Sequence, residues 1–224
     1  MSHDRREFLA RVATGAVAGV VPFSPDVLRA LDGARPATAG EWDLTWVDRI
    51  KGKNRAVFDV PEIDSGYGVW RASLWEKQYQ DVLGVKPEDM SAVVVLRHNG
   101  IALAMQQTFW DRHELGKTRK VLHPVTQKPT DRNPVLLSSK RGEVPEMFDE
   151  VALDRFIARG GIALACNLAL DDMIELVAKK ERVPPEEARK QAIAALVPGV
   201  ILQPSGVFAA LHAQDAGCNY LRAS

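Results

Sequence analysis

The 224-residue chain has only two cysteines, Cys166 and Cys218. They are too few for a disulfide framework and too far apart for a CxxC pair, so either one stands as an isolated thiol. An excess of one charge is missing as well, because 29 basic side chains balance 29 acidic ones. No electrostatic case for nucleic acid or an anionic membrane follows. Phosphate loops of the GxxxxGK[ST] or GxGxxG kind do not occur, so no nucleotide or other cofactor is expected. His98, His113, His123 and His212 lie 15, 10 and 89 residues apart, which matches no compact ligand motif, and no metal site is expected. Internal repeats and low-complexity segments are lacking too. The apolar run at residues 12 to 21 is too short to span a bilayer, which takes ~20 helical residues.

What is present is enough apolar material, 46% of the residues, for one domain with a real core. The first 40 residues differ in kind from the rest. "MSHDRREFLARVATGAVAGVVPFSP" sets paired arginines, Arg5 and Arg6, before a weakly apolar segment. That order resembles a twin-arginine export signal, and "ATA" at residues 37 to 39 fits a cleavage site that starts the mature chain near Gly40. Residues 1 to 39 are therefore read as export signal and linker, and 40 to 224 as one domain. The expectation is a periplasmic or otherwise exported protein, folded before export, without stable membrane insertion once the signal is removed. The plainer alternative is that Arg5 and Arg6 decorate an amphipathic N-terminal helix.

Within the domain, "RAVFDV" (55 to 60), the apolar run ending at Arg97 (92 to 97), "IALAC" (162 to 166) and "VILQ" (200 to 203) read as strands. Helical patterns lie between them. "YGVWRASLWEKQYQDVLG" ends on Gly84, with Trp70 and Trp75 in its apolar stripe. "MFDEVALDRFIARGG" ends on glycines, and "LALDDMIELVAKK" has acids early and lysines late, which suits the helix dipole. "VPPEEARKQAIAALVPG" and a closing "SGVFAALHAQDAG" complete the set. This alternation predicts an α/β fold, a mostly parallel sheet with helices on both faces. Residues 111 to 145 carry Pro124, Pro129, Pro134 and many charges without periodicity, and read as a long insertion covering the carboxyl edge of the sheet or a subunit contact. His113, His123 and Arg132 are its expected polar contributors.

Ligands of open α/β sheets gather beyond the carboxyl ends of the strands. The residues there include Arg97, His98, Cys166, Asn167 and Ser205. Cys166 also begins a helix, where free backbone N–H groups favour a thiolate and lower the thiol pKa. A thiolate attacks sulfane sulfur or holds a persulfide, and His98 would supply positive charge or accept the thiol proton. Equally, a free cysteine often serves as a small buried apolar side chain. Cys218 has nothing around it that suggests activation, and its pairing with Cys166 is left open.

Three stretches, "GVKPEDMSAVVVLRHNGIALAM", "GGIALACNLAL" and "VILQPSGVFAALHAQDAGCNYLR", are similar in order and character to segments of the DsrE/DsrF-like family. The resemblance covers about residues 53 to 110 and 146 to 222. It implies a compact α/β fold, trimers or hexamers, and sulfur relay through a persulfide on the strand-end cysteine, which maps to Cys166. A sulfur donor or acceptor protein would be the partner. The rival expectations are a non-enzymatic module binding a small ligand or metal through Arg97, His98 and residues of the insertion, and an oligomeric scaffold with a structural cysteine.

Overall fold

A computed structural model describes residues 42–224, and the expected export signal and its cleavage point lie outside the described residues. The apolar runs become strands because both of their faces are covered. In β1 (Asn54–Val60), Ala56, Phe58 and Val60 enter one core while Val57 enters the other. In β2 (Met90–Leu96), Ala92, Val94 and Leu96 alternate in the same way with Val93 and Val95. β3 (Ile162–Cys166), β4 (Ile201–Gln203) and β5 (Asn219–Arg222) complete a parallel sheet in the order β4-β3-β2-β1-β5.

The mostly parallel α/β architecture read from the sequence is thus present, with a fifth strand that the reading lacked. "NYLR" is exposed along its whole length and has no apolar alternation, so nothing in its pattern announces a strand. Pairing with β1, from Ala56 with Asn219 to Asp59 with Arg222, is what makes it one.

Chain order fixes which face each helix takes. The path from β1 through α1 (Tyr67–Leu83) to β2, on to β3, and through α5 (Asn167–Glu181) and α6 (Pro185–Ala194) to β4 always advances in one direction. Right-handed crossovers put such helices on a single face. Val69 and Ala72 of α1, Leu170 and Met173 of α5 and Ala188 of α6 share one core accordingly. The last connection, α7 (Gly206–Asp215), returns from β4 to the opposite edge, so the same handedness sends it to the other face. There Ala209, Ala210 and Ala213 pack with Trp46, Val57 and Leu164.

Residues 111 to 145 are less of an excursion than their prolines suggest. α2 (Gln107–His113) and α3 (Leu115–Thr118) occupy the first part, and Leu115, Val121, Val135 and Leu137 are buried. Asn133, fully buried, donates from Nδ2 to the carbonyls of Leu103 (3.1 Å) and Met105 (2.8 Å). It thereby ties the segment to the 3₁₀ helix His98–Ala104 that follows β2. The single helical pattern expected in 147 to 161 is a 3₁₀ turn, Glu146–Val151, followed by α4 (Leu153–Ala158). Gly100 joins two loops: a Cβ there would meet the Val60 carbonyl oxygen at 2.2 Å, and its N–H donates to Pro61 O at 2.9 Å. No helix among the described residues is long and apolar enough to cross a membrane.

Asn133→Ala should lower stability by about 2 kcal/mol, because it leaves buried carbonyls unpaired. Thermal unfolding followed by circular dichroism checks this. An unchanged midpoint would mean that the insertion is not integral to the core.

Candidate functional site

The helices that follow β3 and β4 leave the sheet on opposite faces, so the ends of these two adjacent strands diverge. Such a switch point opens a crevice at the carboxyl edge of an α/β sheet. A cleft of about 240 Å³ lies there. Cys166 and Ser205 contribute as the capping residues of α5 and α7, and Arg97 and His98 contribute from the end of β2. Leu168, Asp172 and Val207 also line it.

Four of the five residues expected at the site therefore share one cleft. Asn167 does not: its side chain accepts from Arg189 on α6 and is not part of the lining. Sequence position puts it beside Cys166, but the first turn of the helix aims it toward the neighbouring helix.

Cys166 is 6% exposed, and its Sγ accepts the N–H of Ala169 at 3.4 Å. The thiol thus takes the N-cap place usually held by serine or aspartate, with its sulfur against unsatisfied backbone donors. Ser205 caps α7 in the same manner, accepting from Phe208 N at 3.0 Å. His98 is exposed and holds a left-handed backbone, φ 46°, which side chains other than glycine seldom adopt.

Arg97 is the most constrained of the four. Its Nε and Nη2 donate to Asp59 Oδ1 and Oδ2 at 2.6 and 2.7 Å, a bidentate pair, and Tyr220 of β5 donates its hydroxyl to Asp59 Oδ2 at 2.6 Å. Asp59 is 1% exposed. Burial pushes its carboxyl up, but the hydrogen bonds from Arg97 and Tyr220 and the nearby positive charges outweigh this and hold it below the usual carboxylate range. The same contacts raise Arg97. Gly206 completes the arrangement: a Cβ on it would come within 2.6 Å of Arg97 Cβ, so only glycine lets α7 start against this side chain.

Sequence reasoning misses Tyr220, and it sets Asp59 and Gly206 among the residues at the strand ends without giving either a role. Asp59 carries a usable signal, since a carboxylate inside "VFDV" is buried on both sides and needs a partner. Tyr220 offers none, because its strand was unrecognised.

The insertion contributes no side chain to the cleft lining and reaches it only through Arg119, whose Nη2 lies 3.6 Å from Asp172. His113 is buried against Phe109, His123 binds its own turn and Glu143 O, and Arg132 pairs with Glu143. These three serve the packing of the segment. Both cysteines are free, and burial pushes the Cys218 thiol up to about 11. Among the described residues no cluster of His, Cys, Asp and Glu could hold a metal ion.

Asp59→Asn should cost about 3 kcal/mol at neutral pH, since it leaves Arg97 without its counter-ion in a largely buried place. A depressed carboxylate stabilises the fold above its unfolded value of ~3.9, and this contribution is lost as pH falls through the folded value. Urea unfolding of parent and variant should therefore converge as pH falls from about 5 toward 2. A gap that stays constant with pH would contradict the pairing.

Compared with known proteins, the sequence matches no family model and no curated protein.

Proposed function

We propose that this chain is an exported DsrE-like protein that carries sulfane sulfur on Cys166. The observation that carries the reading is the position of Sγ: at a switch-point crevice, capping a helix, in a cleft it shares with Arg97 and His98. In the proposed reaction Sγ attacks the outer sulfur of a donor such as thiosulfate. A new S–S bond forms as the donor's S–S bond breaks, and sulfite leaves with the electron pair. The thiol proton passes to His98 or to water. An acceptor thiolate then attacks the outer sulfur of the persulfide, and Cys166 departs as the thiolate. The cycle is redox-neutral and needs no cofactor.

Leu168 and Val207, 46% and 62% exposed, flank the cleft, and Leu211 continues the apolar surface along α7. Such a rim suits a donor or acceptor protein, or further copies of the chain in a trimer or hexamer. Export through the twin-arginine pathway rests on Arg5, Arg6 and the apolar segment after them. A second reading, a module that binds a small anion without covalent chemistry, is favoured by the starts of α5 and α7 facing the same cleft as Arg97.

Cys166→Ser should fold with an unchanged unfolding midpoint and lose all transfer of sulfur from thiosulfate to a small thiol, whereas Cys218→Ser should retain it. Sulfite release and intact mass report the two half-reactions. Transfer by the Cys166→Ser protein at the parent's rate would end the relay reading, and retained anion binding in that protein would favour the second one.

A further inference from the structure

On the face of the sheet that carries α1, the helix α1 and the turn Glu146–Val151 enclose a cleft of about 690 Å³. That volume falls within the range of small-molecule sites, roughly 300 to 1,000 Å³. Its apolar wall is made by Trp70, Leu74, Met147, Phe148 and Val151. Trp70 and Phe148 have ring centroids 5.0 Å apart with planes inclined at 32°, and Tyr67 meets Trp70 edge-on at 5.7 Å. Leu74 and Met147 are 51% and 78% exposed, an unusual amount of apolar surface around one hollow.

The cations in this cleft are already answered within the protein. Arg159 donates from all three guanidinium nitrogens: Nε and Nη2 to Glu76 Oε2, at 3.0 and 2.8 Å, Nη2 also to Ser73 Oγ, and Nη1 to the backbone carbonyl of Glu150. Lys77 pairs with Asp81 at 2.7 Å, and Arg71 with Asp64 at 3.1 Å. All three lining cations (Arg71, Lys77, Arg159) thus hold a carboxylate, whereas the Glu150 carboxylate has no paired cation among the described residues. An anionic ligand would gain no unpaired cation of its own and would lose its hydration.

From the paired cations, the apolar wall and the tilted aromatic pair, we infer that this cleft binds a small molecule with a planar, aromatic body and no anionic group. The ring lies along Trp70 and Phe148, and Leu74 and Met147 cover its edge. The site is independent of the thiol chemistry at Cys166.

Titrating the full-length protein with Nile red, a neutral planar dye, tests this. The expected result is saturable fluorescence at one dye per chain, with anionic anilinonaphthalene sulfonate binding about tenfold more weakly or worse. Phe148→Ala and Leu74→Lys should each weaken Nile red about tenfold, the loss expected when one large apolar contact is removed. Leu74→Lys alters an exposed position and should leave the unfolding midpoint unchanged, so weaker binding by that variant does not arise from misfolding. Equal affinity for both dyes, or binding indifferent to both substitutions, would overturn the inference. So would a dimer, seen by sedimentation, that Leu74→Lys separates, since that would assign the face to a second copy.

Discussion

The handedness of parallel crossovers governs this molecule. A strand followed by a helix and a parallel strand turns right-handed, so the face a helix occupies is decided by the direction in which the sheet grows. Growth from β1 to β4 in one direction stacks α1, α5 and α6 together, and the single return from β4 to β5 forces α7 to the opposite side. Two consequences share this cause. The sheet acquires a second core around Trp46, and the starts of α5 and α7 part company between β3 and β4. The crevice at Cys166 is a product of topology before it is a product of any side chain.

Electrostatics then sharpens what topology opens. Asp59 and Arg97 sit at the carboxyl ends of β1 and β2, where a bidentate pair in low dielectric is expensive to desolvate and is tolerated when every lone pair is satisfied. Tyr220 supplies the remaining donor from β5, the strand that the return connection delivers. Gly206 admits the first turn of α7 against the arginine. The guanidinium facing the thiol cleft is therefore fixed from three strands and one helix, and little rotamer freedom remains to be lost when a ligand arrives.

The sequence made much of this readable where a residue's environment repeats along the chain. Doubly covered strands announce themselves as unbroken apolar runs, and β1 to β4 were found within a few residues of their ends. Cys166, Arg97, His98 and Ser205 were placed together because strand ends in parallel sheets converge on one edge. What escaped depends on partners remote in sequence. β5 is polar and exposed and exists through its pairing with β1. Asn167 turns away from the cleft because Arg189, on another helix, engages it. The proline-rich insertion reads as detached because its anchors, Asn133 above all, bind carbonyls 30 and 28 residues earlier in the chain.

Sulfur carriage by Cys166 is the proposed role on which the functional reading rests. Its most direct test is the intact mass, followed by peptide mapping, of the protein isolated from its own host with thiols alkylated at the moment of lysis. The account predicts a fraction of chains bearing one extra sulfur atom, located on Cys166, absent from Cys218 and removed by a reducing thiol. Uniformly alkylated or wholly unmodified Cys166, with no sulfur adduct under any growth condition that supplies sulfane sulfur, would contradict it.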